Sequence, residues 1–279
     1  AQWSNKTQAF CESIGKGIPA NNSSDPRHGT TARAVYDAAA GGQISMWPSS
    51  IGMAATFNPN LVKEFGQTAA SEYRALGITT ALSPQVDIAT DPRWMRFKGT
   101  FGESPKLAAA MAKAYCDGFQ SDEWGMKSVN AMVKHWPGGG SGEGGRDAHY
   151  GIGKYAVYPG NNFDDHLVPF LEGAFDLDGE TQMASAVMPY YTISWNQDQN
   201  SEQVGNTFSR YLITDLLRNK YGYDGVVCTD WGATRDHTAM DAFIDGKPWG
   251  IEELSIVDRH YKVLMVVLAK EVEMHIMVL

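Results

Sequence analysis

The run Asp224-Gly225-Val226-Val227-Cys228-Thr229-Asp230-Trp231-Gly232-Ala233 sets an acid, an aromatic and a glycine directly behind a short apolar segment. A parallel strand buried on both faces is apolar throughout, so a carboxylate in such a run belongs at the strand's C-terminal mouth. In an α/β barrel that mouth is where chemistry sits, and Trp231 alongside could floor a sugar pocket. The same residues also suit an Asp that simply caps the next helix.

Three further segments combine charge with turn residues. Lys134-His135-Trp136-Pro137-Gly138-Gly139-Gly140 follows a strand expected to end at Val133. A Lys and a His there can donate hydrogen bonds into a pocket, or they are a surface Lys beside a packed His. In Asp91-Pro92-Arg93-Trp94-Met95-Arg96, either arginine can pair with Asp91 or reach a ligand. Asp25-Pro26-Arg27-His28-Gly29 offers Asp25 as a clamp for two vicinal hydroxyls, although Asp-Pro is also a common turn. The Gly138–Gly145 run, interrupted by Ser141 and Glu143, reads as a long flexible loop. It is not a phosphate cradle, because it lacks a Gly-Lys-Ser/Thr ending and no helix start follows it.

The elements that must position these residues alternate between strand and helix. Helical spacing predicts a helix from Asn58-Pro59 through Leu61, Phe65, Ala69, Tyr73 and Leu76, stopped by Gly77. Ser104-Pro105 opens a second, running to about Gly118, and others are expected over 3–14, 164–175, 207–220 and 251–268. Strands are expected over 17–22, 78–84, 128–133, 183–188 and 225–229. This βα rhythm implies a parallel sheet, either doubly wound or closed into a barrel. Polar residues gather after the strands, as at one face of a barrel.

The composition is that of a globular chain long enough to bury a sizeable core: 279 residues, 43% hydrophobic. A net charge of −9, with no Lys/Arg block, argues against nucleic acid or an anionic membrane as the main partner. Eight Trp and twelve Tyr suit a sugar pocket, though most aromatics fill cores. Cys11, Cys116 and Cys228 lack metal-ligand spacing, and the last two read as small core residues. No run approaches a membrane span and no signal peptide is visible. A soluble chain is expected, with secreted, periplasmic and cytoplasmic locations all open. The apolar residues Met274, Ile276, Met277 and Leu279 would be costly to leave in water.

In order along the chain, IGMAATFNPNLV, LSPQVDIATDPRWMRF, KHWPGGG, VMPYYTISWN and VVCTDWGA resemble glycoside hydrolase family 3, the β-glucosidase and exo-glucanase family. The likeness runs from about Ile18 to about Ala233. It implies a (β/α)8-like barrel that hydrolyses β-linked sugars from the non-reducing end with retention of configuration. Position by position, it implies Asp230 as nucleophile with Trp231 as the adjacent aromatic. Asp25, Arg96, Lys134 and His135 match hydroxyl-binding positions, Tyr191 the tyrosine near the nucleophile, and Arg146 and Met188 further substrate contacts. The expected partner is a β-glucoside or β-glucan oligosaccharide, with no metal or organic cofactor.

The departures shape the expectation. Met95 replaces the glycine usual in the DPRWGR pattern, and Cys228-Thr229 stands where Val-Ser is common. The first family strand and the segment expected after the nucleophile strand are not recognisable, so 1–279 reads as a single barrel domain, incomplete at one or both ends. Residues 241–279 read as an atypical C-terminal segment. The second α/β domain, which carries the acid/base Glu in many family glucosidases, has no counterpart in these residues. An open barrel edge would invite self-association. Asp147 and His149 match the acid/base pair of the family's β-N-acetylglucosaminidase branch, with a longer spacer. Three readings follow: a retaining β-glucosidase, impaired where the acid/base domain is missing; a β-N-acetylglucosaminidase using Asp147 and His149; or a non-catalytic sugar-binding barrel or inactive truncated product.

Overall fold

The computed structural model describes residues 2–25, 28–29, 44–198, 202–236 and 248–268. Arg27, the segment 241–247 and the apolar residues 271–279 singled out above lie outside the described residues. The chain opens with α1 (Gln2–Ser13), β1 (Ser23–Ser24), α2 (Ser50–Ala54) and α3 (Pro59–Leu76). It continues through β2 (Thr80–Ala81), α4 (Pro105–Gln120), β3 (Asn130–Trp136) and β4 (Tyr155–Ala156). Then come α5 (Phe163–Val168), β5 (Ala186–Pro189), β6 (Ile193–Ser194), β7 (Val226–Val227) and α6 (Ile256–Val267).

Five strands form one wholly parallel sheet in the order β1-β2-β3-β5-β7. Neighbours in space follow chain order without reversal. A doubly wound sheet would send its later strands to the far side of the first. The order is that of a (β/α)8 barrel, and the described strands form an arc of one. Strands β4 and β6 pair with each other beyond the C-terminal ends of β3 and β5, adding a small second layer at the mouth.

Two strand positions differ from expectation. The first strand is Ser23–Ser24 rather than 17–22, in register with Thr80 and Ala81. Strand β3 runs on to Trp136, so Lys134 and His135 lie within it rather than after it. Pairing explains the extension, since Lys134 is in register with Met188 and Trp136 with Pro189.

The helices form where their caps stand. Asn58 Oδ1 accepts from the Asn60 amide at 3.1 Å, and Ser104 Oγ accepts from the Leu107 amide at 3.4 Å. Helix α4 does not stop near Gly118 but continues to Gln120. Gly118 is instead where α3 and α4 touch, because a Cβ there would lie 2.5 Å from the Lys63 carbonyl oxygen. The segments 164–175 and 207–220 are not simple α-helices. Pro169 interrupts the first, and both widen to i→i+5 bonding, with Phe175 N–H donating to Phe170 at 2.8 Å and Tyr221 N–H to Leu216 at 2.9 Å.

Between helices and sheet lies one large apolar core. Phe65, Tyr73, Tyr115 and Phe119 pack together from α3 and α4, with Tyr115 and Phe119 stacked at 4.8 Å. Trp136 is fully buried, and its indole donates to the Leu212 carbonyl at 3.0 Å. Cys116 and Cys228 are buried free thiols. Helix α1, by contrast, buries none of its residues. Among the described residues no helix is long and apolar enough to cross a membrane.

Candidate active site

The strand ends converge on one cavity of about 380 Å³. Asp25 directly follows β1, Lys134 and His135 end β3, and Met188 sits on β5 with Tyr191 just beyond it. Asp230 and Trp231 follow β7. Asp25, Arg96, Lys134, His135, Met188, Tyr191, Asp230 and Trp231 all line this cavity, and so does His149. Asp147 stands directly behind His149. Arg146 is the exception: it is exposed and pairs with Glu143 at 3.3 Å, and it is not a lining residue.

Asp230 is buried and its two oxygens are held differently. Oδ1 accepts from the Tyr191 hydroxyl at 2.8 Å and from the Trp231 amide at 2.7 Å. Among the described residues Oδ2 has no hydrogen-bond partner, and it lies 3.8 Å from His135 Nε2. Burial, reinforced by the Asp230 charge, pushes the Tyr191 phenol well above its ordinary pKa, so it stays a donor. Trp231 lines the cavity and remains two-fifths exposed.

A charged pair and a buried arginine wall the cavity. Lys134 Nζ donates to Asp25 Oδ1 at 2.6 Å. Arg96 Nη2 lies 3.2 Å from His135 Nε2, and Arg96 Nη1 donates to the Tyr190 hydroxyl at 3.3 Å. The choice between the two arginines is settled by geometry, since Arg93 closes a local pair on Asp91 at 2.6 Å while Arg96 turns inward. Burial opposes the Arg96 charge, yet Tyr190, Asp87 and Asp230 outweigh it and raise its pKa. For His135, burial and then Arg96 lower the pKa to about 4 against the pull of Asp87, so the ring is neutral near pH 7.

Behind the wall stand residues that the sequence did not single out. Asp87, fully buried, accepts from His135 Nδ1 at 2.7 Å, from the His135 amide at 3.0 Å and from the Gly139 amide at 2.6 Å. Tyr190 packs its ring 4.4 Å from His135 and donates to Asp147 Oδ1 at 3.4 Å. Trp94 donates to the same oxygen at 2.8 Å. Asp147 Oδ2 in turn accepts from His149 Nδ1 at 2.6 Å and from its amide at 3.0 Å. Burial alone would raise the Asp147 pKa, but His149 and Trp94 outweigh it and hold the group well below the carboxylate range. The one available signal was position: Asp87 is an acid among Val86, Ile88 and Ala89, where an unpaired charge would be costly.

The first part of the glycine run, Gly138–Gly140, is packed rather than loose, which corrects the reading of a flexible loop there, while Glu143 and Gly144 are exposed. Gly138, Gly139 and Gly140 are buried. A Cβ on Gly140 would lie 1.8 Å from the Ile88 carbonyl oxygen, and one on Gly139 would lie 2.8 Å from the Tyr190 ring. Glycine is required there because backbone meets backbone and ring at contact distance.

Comparison with known proteins agrees with this architecture. The model of the glycosyl hydrolase family 3 N-terminal domain matches residues 2–247. Beta-glucosidase C of Emericella nidulans is 43% identical over 249 residues, covering 89% of this chain and 39% of the relative. A periplasmic beta-glucosidase/beta-xylosidase of Dickeya chrysanthemi is 40% identical over 276 residues, covering 94% of this chain and 41% of the relative. The chain thus spans about two fifths of the length of these curated relatives. In fold it is similar to a family 3 beta-N-acetylglucosaminidase from a Paenibacillus species, at TM-score 0.73 and 22% identity over 99% of this chain and 45% of that one. Matched to the family's N-terminal domain over most of its length, and with the parallel order of its barrel, the chain belongs to glycosyl hydrolase family 3.

Proposed function

We propose that this chain is the sugar-binding and nucleophile-bearing barrel of a retaining β-glucosidase, with Asp230 as nucleophile. The observation that carries this reading is the asymmetry of Asp230. Tyr191 and a backbone amide occupy Oδ1, while Oδ2, among the described residues, is without a hydrogen bond beside the cavity. In the first step Oδ2 bonds to the anomeric carbon as the glycosidic C–O bond breaks, and the leaving oxygen takes a proton. In the second, water attacks the same carbon, gives up a proton and releases the carboxylate. Asp25, Arg96, Lys134 and His135 would hold the sugar hydroxyls, with charged partners contributing about 1.5–3 kcal/mol per hydrogen bond. The names of the curated relatives support a terminal β-linked glucosyl unit.

A second reading rests on His149. It lines the cavity with Asp230, and Asp147 orients its ring, which makes it the candidate acid for the leaving oxygen. That is the β-N-acetylglucosaminidase reading. In the glucosidase reading the acid comes from outside the barrel, as the family resemblance implies.

Covalent trapping tests the proposal. A 2-deoxy-2-fluoro-β-glucoside with a dinitrophenolate leaving group should add one fluorosugar to the chain, and digestion should map it to the peptide holding Asp230. A label on another carboxylate would overturn the nucleophile assignment. No label at all, with the sugar still bound, would favour the non-catalytic sugar-binding barrel.

A further inference from the structure

We infer that Asp87 is a positioning residue that fixes His135 as a hydrogen-bond acceptor facing the nucleophile. The inference deepens the glycosidase reading and rests on it. Asp87 touches no part of the cavity surface and is fully buried. An ionised carboxylate only accepts, so its 2.7 Å contact places a proton on His135 Nδ1. A neutral ring then carries a lone pair on Nε2. Arg96 Nη2, 3.2 Å away, fits that assignment, because a guanidinium only donates.

The consequence falls on Asp230. His135 Nε2 and Asp230 Oδ2 stand 3.8 Å apart, and Oδ2 has no hydrogen-bond partner among the described residues. Two acceptors face each other, so neither quenches the other. The opposite tautomer would aim an N–H at Oδ2, stabilise the free carboxylate and blunt its attack. It would also set that N–H against Arg96. A sugar hydroxyl entering the gap can instead donate to Nε2 while its oxygen accepts from Arg96. Besides Asp87, the charged or titratable groups facing this ring among the described residues are Arg96, Asp230 and Tyr190. The same Asp87 carboxylate also holds the Gly139 amide at 2.6 Å, so one buried group sets both the imidazole and the glycine run beside it.

The test is the ring tautomer, read by ¹⁵N NMR of the unliganded chain near neutral pH. A His135→Gln sample identifies the His135 signals by their loss. The parent should show a protonated Nδ1 and an unprotonated Nε2. In Asp87→Asn, the amide oxygen is best kept toward the two backbone N–H donors, which turns the NH₂ toward Nδ1. His135 should then switch to the Nε2–H form, and the rate of Asp230 labelling by the activated fluoroglucoside should fall about 10²-fold. Glucose affinity should change much less. A parent spectrum with Nε2–H overturns the inference without recourse to any variant. So does Asp87→Asn that keeps both the tautomer and the labelling rate. The tautomer is read without turnover, so a failure of the glycosidase reading shows separately, as absence of label on Asp230 in the parent.

Discussion

At the scale of single residues, the open matter is the proton that the leaving group needs. His149 and Asp147 form a tight pair on the cavity wall, and Tyr190 and Trp94 brace it from behind. Comparing leaving groups isolates its role. A dinitrophenolate departs unprotonated, whereas a sugar alkoxide does not, and general acid catalysis is worth about 10²–10⁴-fold. With the acid outside the barrel, His149→Ala should change the rates on dinitrophenyl glucoside and on cellobiose by the same factor. A selective collapse on cellobiose would move the acid to His149 and replace the leading reading with the second. Asp230 and Trp231 were legible at this scale because they follow an apolar run, and Tyr191 only through the family resemblance. Asp87 and Tyr190 were not, since what distinguishes them is a partner 48 or 43 residues away.

At the scale of elements, the crossing of α3 and α4 sets how closely the helices lie against the sheet behind β2 and β3. Gly66 and Gly118 allow the two backbones to meet: a Cβ at position 118 would come within 2.9 Å of Gly66 Cα and 2.5 Å of the Lys63 carbonyl. Overpacking of this kind costs about 1–3 kcal/mol. Gly118→Ala should therefore lower the unfolding free energy by that amount, read as a lower urea midpoint at unchanged slope, although alanine is the better helix former. A variant as stable as the parent would show that the crossing has slack. The caps at Asn58 and Ser104 were readable because capping is local. The end of α4 was not, because Gly118 serves a contact between helices rather than a stop.

At the scale of the whole molecule, buried imidazoles tie stability to pH, His135 and His166 most strongly. Burial lowers His135 and His166 from 6.5 to about 4, and nearby carboxylates recover only part of that. An imidazole that is neutral when folded and gains a proton on unfolding draws the chain apart as the pH falls. Each therefore costs up to about 3 kcal/mol as the pH drops from about 6.5 to about 4. Urea midpoints across that window should decline steadily, and His166→Leu should flatten the decline. A profile that is flat in the parent would mean that the rings are already protonated in the fold.

Local chemistry in the chain was enough for the βα alternation, the capped helices, the buried cysteines and the nucleophile candidate at a strand mouth. Each depends on neighbours within a few residues, or on a period that a single segment displays. The tertiary structure alone decided that Arg96 rather than Arg93 turns inward and that Arg146 stays at the surface. It also decided that Lys134 and His135 belong to a strand and that the first part of the glycine run is packed. These depend on register and contact between distant segments. Whether a buried charge finds a partner is likewise settled only when the chain brings Asp87 to His135.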